Sequence, residues 1–371
     1  MTTRSSNSTK LARRKFVTVS TTTLLATAAS TVFGAPAIRS SKTKNSADET
    51  IIGEGDYQYK ASHTFCKLPA KFSWQTTHNV AIDSNNNLYV IHEGRNDWKD
   101  HPSIFVFDSR GKFIRAFGSQ FQGGGHGIEI RQEGKEEFLY VAAYQGIKSF
   151  AKMTLTGSTV WFKRAPVESG VYNDKEELST KATWDRKSFL PTNFAFLDNG
   201  GFLLADGYGS YFIHEFDQHA NWVRCFGGPG EAAGQFKLSH GLWVDRREGK
   251  TQSLYVTDRS RNAIQVLDMD GKHLETLEGF GLPANIDTLG DLMLVPELNG
   301  LVTILDKENK PLAKLGDGRA RLKEVENLRE KESQWTAGQF VHPHDACFDK
   351  EGNIFVAEWV ETGRVTKLSR V

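Results

Sequence analysis

Four of the eleven histidines open equivalent phrases of the chain, five residues ahead of an Asp or its counterpart: His78, His126, His240 and His344. Histidine is the commonest metal-binding side chain. Three neutral imidazoles with an open fourth position make a familiar catalytic zinc arrangement. The approaches to His240 and His344 share one spacing, Gly234-Gln235-Phe236 and Gly338-Gln339-Phe340, each four residues ahead of its histidine. A single channel-lining histidine would hold no more than water. Three of the four, His126, His240 and His344, fall in alternate repeats, so in a ring of six they stand about 120° apart and face one axis. Other chemistries lack their residues: there is no P-loop, no Gly-x-Gly-x-x-Gly after a strand, no Gly-x-Ser-x-Gly elbow and no Cys-x-x-Cys pair. Cys66, Cys225 and Cys347 are too few and too scattered for a disulfide framework, and we expect buried free thiols.

The elements that must position these histidines are strands. His78–Asp83, Leu88–Val90, Ser103–Asp108 and Phe113–Gly118 form one phrase; His240–Asp245, Leu254–Asp258, Ala263–Asp268 and His273–Leu277 repeat it. A third copy runs through Asn193–Asp198, Gly201–Asp206, Phe212–Asp217 and Trp222–Gly227, and weaker copies begin at His126, near Pro283 and at His344. Each copy is four short apolar-alternating runs separated by Asp, Asn or Gly, which predicts a four-stranded antiparallel meander. Six such units predict an all-β fold, a six-bladed β-propeller, because only closure removes the strand edges. The sixth copy ends after three strands, and the segment from Tyr57 to Leu68 is expected to supply the missing outer one. The first strand of each blade lines the central channel, which places the four histidines there.

The chain has 371 residues, 39% hydrophobic and 25% charged, so it has ample length for a large core. With 46 Lys+Arg against 45 Asp+Glu, a polyelectrolyte argument for nucleic acid fails. Thirty-four Gly and 24 Phe against only 10 Pro and 4 Met favour strands and tight turns. Residues 1–37 read as an export signal: five positive charges and no acid, an apolar stretch from Val17 to Phe33, then Ala35-Pro36-Ala37. Arg13-Arg14-Lys15-Phe16-Val17 gives it a twin-arginine character, so we expect a periplasmic or extracellular, mildly acidic mature protein. Residues 38–56 read as a linker and 57–371 as the propeller. No later apolar run approaches the ~18 residues of a membrane span, and a monomer is expected. Two inserts, 166–190 and 317–337, follow the last strand of one blade and precede the first of the next. They are expected on the face where the channel opens, either as mere cover or as a rim, and Leu322, Val325 and Leu328 predict a short helix in the second.

The repeats resemble NHL-type propellers, and the histidine set resembles that of peptidyl-α-hydroxyglycine α-amidating lyases, which release glyoxylate from a hydroxylated C-terminal glycine. The resemblance spans about residue 57 to the C-terminus. Its pieces are His126-Gly127-Ile128, Pro191-Thr192 leading to Asp206-Gly207-Tyr208, Gly234 to His240, Asp258-Arg259 with Ile264-Gln265, and Pro343-His344-Asp345. It implies zinc on His126, His240 and His344, and a structural calcium on Asp345 with the backbone carbonyls of Val80 and Ile128. It implies Tyr208 as the base that takes the substrate hydroxyl proton. Three positions depart from the pattern. Glu93 replaces the arginine expected after His92, with Arg95 two places on as a stand-in; His342 replaces a methionine; Gly209 and Ser210 replace paired cysteines.

Three functions follow as expectations. The first is an exported metal-dependent lyase acting on a small peptide or hydroxylated small molecule. The second is a non-catalytic propeller that binds a protein or glycan. The third is a gluconolactonase-like calcium hydrolase, with Asn193 and the neighbourhood of Asn285 supplying amide ligands. Asp258 with Arg259 and Arg261 is expected to make only a surface ion pair.

Overall fold

The computed structural model describes residues 50–371 except Asn96. The export signal expected at 1–37 lies outside the described residues. Six antiparallel sheets each run outward from an innermost strand. Blade 1 is Thr77–Ile82, Leu88–His92, Ile104–Phe107 and Phe113–Phe117; blade 2 is Gly125–Glu133, Glu136–Ala143, Ser149–Thr154 and Thr159–Lys163. Blades 3, 4 and 5 begin at Phe194–Phe196, Ser239–Asp245 and Asp287–Leu289, each with three further strands in chain order. Blade 6 is Pro343–Phe348, Ile354–Glu358 and Arg364–Arg370, completed from the other end of the chain by Tyr59–Ser62.

That closure follows the sequence pattern. Tyr59 pairs with Arg370 and Ser62 with Lys367, burying Tyr59 and Ala61 against the blade. Thr50–Ile52, inside the segment 38–56 that reads as a linker, adds a fifth strand, Thr50 opposite Ala61. Ile52 packs on the cluster that holds Tyr59, which gives the segment a reason to order.

The recurring aspartates close the hairpins. Asp83 Oδ1 accepts the amides of Asn85 and Asn87, Asp349 does the same for Glu351 and Asn353, and Asp217 for His219 and Asn221. Short polar side chains that bond their own backbone two residues on stabilise such turns. The aromatics fill the spaces between blades: Tyr140, Phe150, Phe194, Phe202 and Phe216 form one cluster joining blades 2 and 3. Trp161 stacks on Phe202, and Phe202 on Phe216, at 5.9 and 5.0 Å between centroids.

A second repeated acid anchors the loops that lead to the axis. In blades 3 to 6 the second strand ends on, or in blade 3 directly before, a buried acid, Asp206, Asp258, Glu297 or Glu358, whose carboxylate accepts an amide N–H from the loop ahead of the innermost strand. Glu358 is further held by a bidentate pair with buried Arg364. The second insert forms a helix at Arg319–Glu324, shorter than its apolar spacing predicts, because Val325 is extended at φ −119° and ψ 106° and ends it. Leu328 still packs with Val341 and Val360, under Leu322 and Val325.

Tyr59→Ala removes the buried anchor of the closing strand and is expected to cost about 3 kcal/mol of unfolding free energy. Chemical denaturation measures this; a wild-type midpoint would mean that the ends do not hold the ring shut.

Candidate metal centre on the propeller axis

Each axial histidine occupies a break in its ladder. Thr77 faces His92 and Asn79 faces Ile91, so His78 is one residue in excess; His126 sits likewise between Gly125 and Gly127, and His344 between Pro343 and Asp345. Blade 4 shows the same irregularity between Ser239 and Leu242, across His240. A β-bulge re-aims a side chain that regular alternation would send into the sheet face. The innermost strands of blades 3 and 5 have three residues each and no such break.

Blades 3 and 5 supply carbonyls instead, as blade 1 also does. His126 Nδ1 lies 2.9 Å from the Thr192 carbonyl oxygen, His240 Nδ1 2.7 Å from that of Ala284, and His344 Nδ1 2.8 Å from that of His78. A carbonyl only accepts, so Nδ1 carries the proton and the Nε2 lone pair is left free. Such a partner on the far nitrogen is the usual way a ligating imidazole is oriented. Burial, reinforced by neighbouring positive groups, holds all three well below the ordinary imidazole pKa, so they are neutral donors.

The four rings form a closed set. Centroids lie 4.8 Å apart for His78 and His126, 4.9 Å for His126 and His240, 4.7 Å for His240 and His344, and 4.6 Å for His344 and His78. His78, His126 and His344 offer ligand atoms within 4.8 Å of one another, a buried group that could hold a metal ion. His240 joins it through His126, Nε2 to Nε2 at 3.2 Å. His344 Nε2 is buried without a hydrogen-bond partner.

Tyr208 stands over this group. Its hydroxyl is 3.2 Å from His126 Nε2 and 3.0 Å from His240 Nε2, and it accepts a bond from Arg259 Nη1 at 3.0 Å. Burial raises the phenol pKa, opposed by the Arg259 charge and hydrogen bond. The turn that carries it is pinned by Asp206, which accepts the amides of Leu190 and Ser210 and the hydroxyl of Tyr172. Arg259 is therefore a site residue that sequence reasoning assigned to the surface. Asp258 is fully buried and takes Arg261, Nε to Oδ2 at 2.7 Å, which frees Arg259 to point at Tyr208. The available sign was Arg259 directly after an acid that ends a second strand.

Arg95 is not brought to the histidines. Its side chain is 63% exposed and pairs with Asp97 at 2.8 Å, because Gly94 at φ 78° turns the chain away after Glu93. His342 points to the Leu298 carbonyl rather than to the axis group. Above the centre a cavity of about 1110 Å³ is lined by Glu93, Arg95, Trp98, Tyr144, Trp184 and Arg329, among others. Trp184 comes from the first insert and Arg329 from the second, so both inserts form the rim of this cavity.

One residue further along, in blades 1, 5 and 6, the chemistry changes to oxygen. Asn79, Asn285 and Asp345 follow His78, Ala284 and His344, and a chamber of about 200 Å³ is lined there by Val80, Glu129, Asn285, Asp287 and Asp345. Asn285 Nδ2 donates to Asp345 Oδ1 at 2.6 Å, while the Oδ1 atoms of Asn79 and Asn285 are buried without a partner. Val80 meets Asp345 through its amide N–H, 2.9 Å from Oδ2. Ile128 is a buried core residue of the blade 1–2 cluster. Burial pushes Asp345 up to about 7 and Asp287 to about 6, and it raises Glu129 well above the carboxylate range, with Asp345 and Asp287 adding repulsion. Glu129 and Asp287 escaped the sequence reading because they sit in the weaker copies that begin at His126 and near Pro283, in a slot that holds Ala81, Trp243 and Cys347 elsewhere.

A Cβ on Gly127 would lie 2.1 Å from the Thr192 carbonyl oxygen, the atom that orients His126. Gly127→Ala is expected to destabilise the fold by about 1–3 kcal/mol and to weaken transition-metal binding, read by denaturation and metal titration. Wild-type values in both would show that the close approach of blades 2 and 3 does not set the histidine.

No protein-family model and no curated protein matches the chain. Solved structures share its fold at low identity. A catalytically inactive virginiamycin B lyase from Staphylococcus aureus, with quinupristin, superposes at TM-score 0.51 and 14% identity over 88% of this chain and 97% of its own. A gluconolactonase from Xanthomonas campestris gives 0.54 and 10% over 84% and 89%, and a Bacteroides thetaiotaomicron protein of unknown function 0.54 and 12% over 86% and 76%. At these identities the likeness is one of fold, the six-bladed β-propeller.

Proposed function

We propose that this protein is an exported metal-dependent lyase of the α-hydroxyglycine type, cleaving the N–C bond at a hydroxylated glycine and releasing glyoxylate. The observation that carries the reading is the convergence of the His126 and His240 Nε2 atoms on the Tyr208 hydroxyl, beside the unpartnered His344 Nε2. These residues fit zinc: the donors are neutral, buried and oriented from behind by carbonyls. A bound divalent ion would supply positive charge that lowers the pKa of a nearby hydroxyl.

Tyr208 takes the hydroxyl proton of the substrate, and Arg259 stabilises the phenolate that makes this possible. The alkoxide electrons collapse to the carbonyl of glyoxylate, the C–N bond breaks, and the departing nitrogen recovers the proton from Tyr208. The aromatic cavity above gives room for the peptide that precedes the glycine. Glu93 brings an acid where the resemblance expects an arginine, so a substrate carboxylate would rely on Arg259 and Arg329.

The oxygen cluster supports a second, hard cation, calcium, held by Asp345 with Glu129 and the unpartnered amide oxygens of Asn79 and Asn285. If that ion rather than the histidine site were the reacting centre, the protein would be a gluconolactonase-like hydrolase. A protein- or glycan-binding propeller would show neither activity. Among the described residues no helix is long and apolar enough to cross a membrane, and the twin-arginine pattern supports export.

Metal analysis of the purified protein is expected to find about one transition metal per chain, lost in His126→Ala, His240→Ala and His344→Ala. Glyoxylate release from an α-hydroxyglycine peptide should fall at least roughly 100-fold in Tyr208→Phe. Lactone hydrolysis without glyoxylate release, abolished by Glu129→Gln, would replace the lyase reading by the hydrolase.

The raised carboxyl pKa values give a pH test. With Asp345 shifted from 3.8 to about 7, the metal-free native state keeps a proton that the unfolded chain releases, so its stability falls as pH rises through that window. Calcium competes with that proton. Its effect on the melting temperature should be larger at about pH 8 than at about pH 5, and Asp345→Asn should reduce the difference; equal shifts at both pH values would exclude this cluster as the calcium site.

A further inference from the structure

We propose that the axial metal site is a four-imidazole centre, with His78 ligating through Nδ1 and Glu93 serving as the carboxylate that orients it. This rests on the reading of His126, His240 and His344 as metal ligands and adds a fourth donor to it.

Three independent features of blade 1 carry the proposal. His78 sits in the same one-residue bulge as His126 and His344 and is as deeply buried, and its ring lies between theirs. Its Nε2 is 3.2 Å from Glu93 Oε2, while its Nδ1 is buried and has no hydrogen-bond partner. The polarity is thus the reverse of the other three: they are held by Nδ1 against carbonyls and present Nε2, whereas His78 is held by Nε2 against a carboxylate and presents Nδ1.

Glu93 lies one place beyond the acid position of the other blades, where blade 1 has His92 opposite Thr77. The acids at the ends of the second strands of blades 3 to 6 accept loop amides. In blade 1 that amide, Gln75 N–H, goes to His92 Nδ1 at 3.3 Å instead. The Glu93 carboxylate is left for His78 and for Gln145. A carboxylate on the far nitrogen of a ligating imidazole fixes the ring and makes it a stronger donor. The acid in the arginine position and the extra axial histidine thereby become one device.

Four imidazoles would fill a tetrahedral zinc shell. A substrate then needs a first-row divalent metal that accepts five or six ligands, such as iron or nickel, for which imidazole is equally suited.

Cobalt(II) is the probe. X-ray absorption of the cobalt-loaded full-length protein is expected to count four imidazoles in the wild type and three in His78→Ala. Cobalt affinity by calorimetric titration should weaken by roughly 10- to 100-fold in Glu93→Gln and at least as much in His78→Ala. Three imidazoles in the wild type, or unchanged affinity in Glu93→Gln, would overturn the fourth ligand while His126→Ala still abolishes binding and the three-histidine reading stands. No cobalt binding by the wild type would overturn both. Should His78→Ala fail to fold, the wild-type ligand count and Glu93→Gln decide the matter.

Discussion

The hydrogen bond from a histidine in one blade to a backbone carbonyl of the next is the contact on which the centre of this molecule depends. It requires three things together. The histidine must be displaced from the ladder by a bulge, the neighbouring blade must present a carbonyl rather than a side chain, and the two strands must approach closely. Gly127 and Gly241 satisfy the last, since a Cβ on either would lie within 2.6 Å of the carbonyl oxygens of Thr192 and Ala284. Closure of the ring is what makes the approach possible: His344 in blade 6 reaches His78 in blade 1 only because Tyr59–Ser62 and Arg364–Arg370 complete the last sheet.

The same backbone register produces two chemical zones a residue apart. Successive side chains of an innermost strand cannot share one direction, so the bulged histidines collect at one level and the following residues, Asn79, Asn285 and Asp345, at the next. Neutral imidazoles favour borderline transition metals, and carboxylates with amide oxygens favour hard cations. The separation keeps the charged carboxyls away from the nitrogen donors. It also leaves the acids so poorly solvated that Asp345, Asp287 and Glu129 all hold their protons more tightly than free carboxyls.

The ring was legible because its determinants are local and repeated: alternation within each strand, Asp at the turns, and a truncated sixth copy needing a partner. The four histidines were legible for the same reason, since they share one slot of the repeat. Arg259 was not, because its destination depends on Arg261 capturing Asp258, a choice between two arginines that spacing alone leaves open. Arg95 stands two places beyond Glu93 in sequence but is not brought to the histidines, because the positive φ of Gly94 turns the chain ahead of it. Glu129 and Asp287 became part of a site only through the convergence of different blades, which no single repeat displays. The 38–56 segment read as a linker because three residues, Thr50–Ile52, carry too little pattern to announce a strand.

The inserts show how a symmetric scaffold acquires an asymmetric site. Six equal blades would leave a channel open to water along its length, and water competes with every hydrogen bond aimed at the axis. The first insert packs Trp184 against Tyr208 and Tyr144, 5.5 and 5.8 Å between centroids, on one side of the histidines. The second brings Arg329 over the Trp359 ring on the other, 3.4 Å from its centroid. Burial lowers the Arg329 pKa while the nearby charge of Glu93, which lines the same cavity, opposes that shift. Tyr208 is reached from the first insert as well, through Tyr172 and the Asp206 turn. The segments that break the repeat are therefore the ones that dry the axis and fix the phenol over it, and the regular blades supply what must be identical in spacing, the imidazoles.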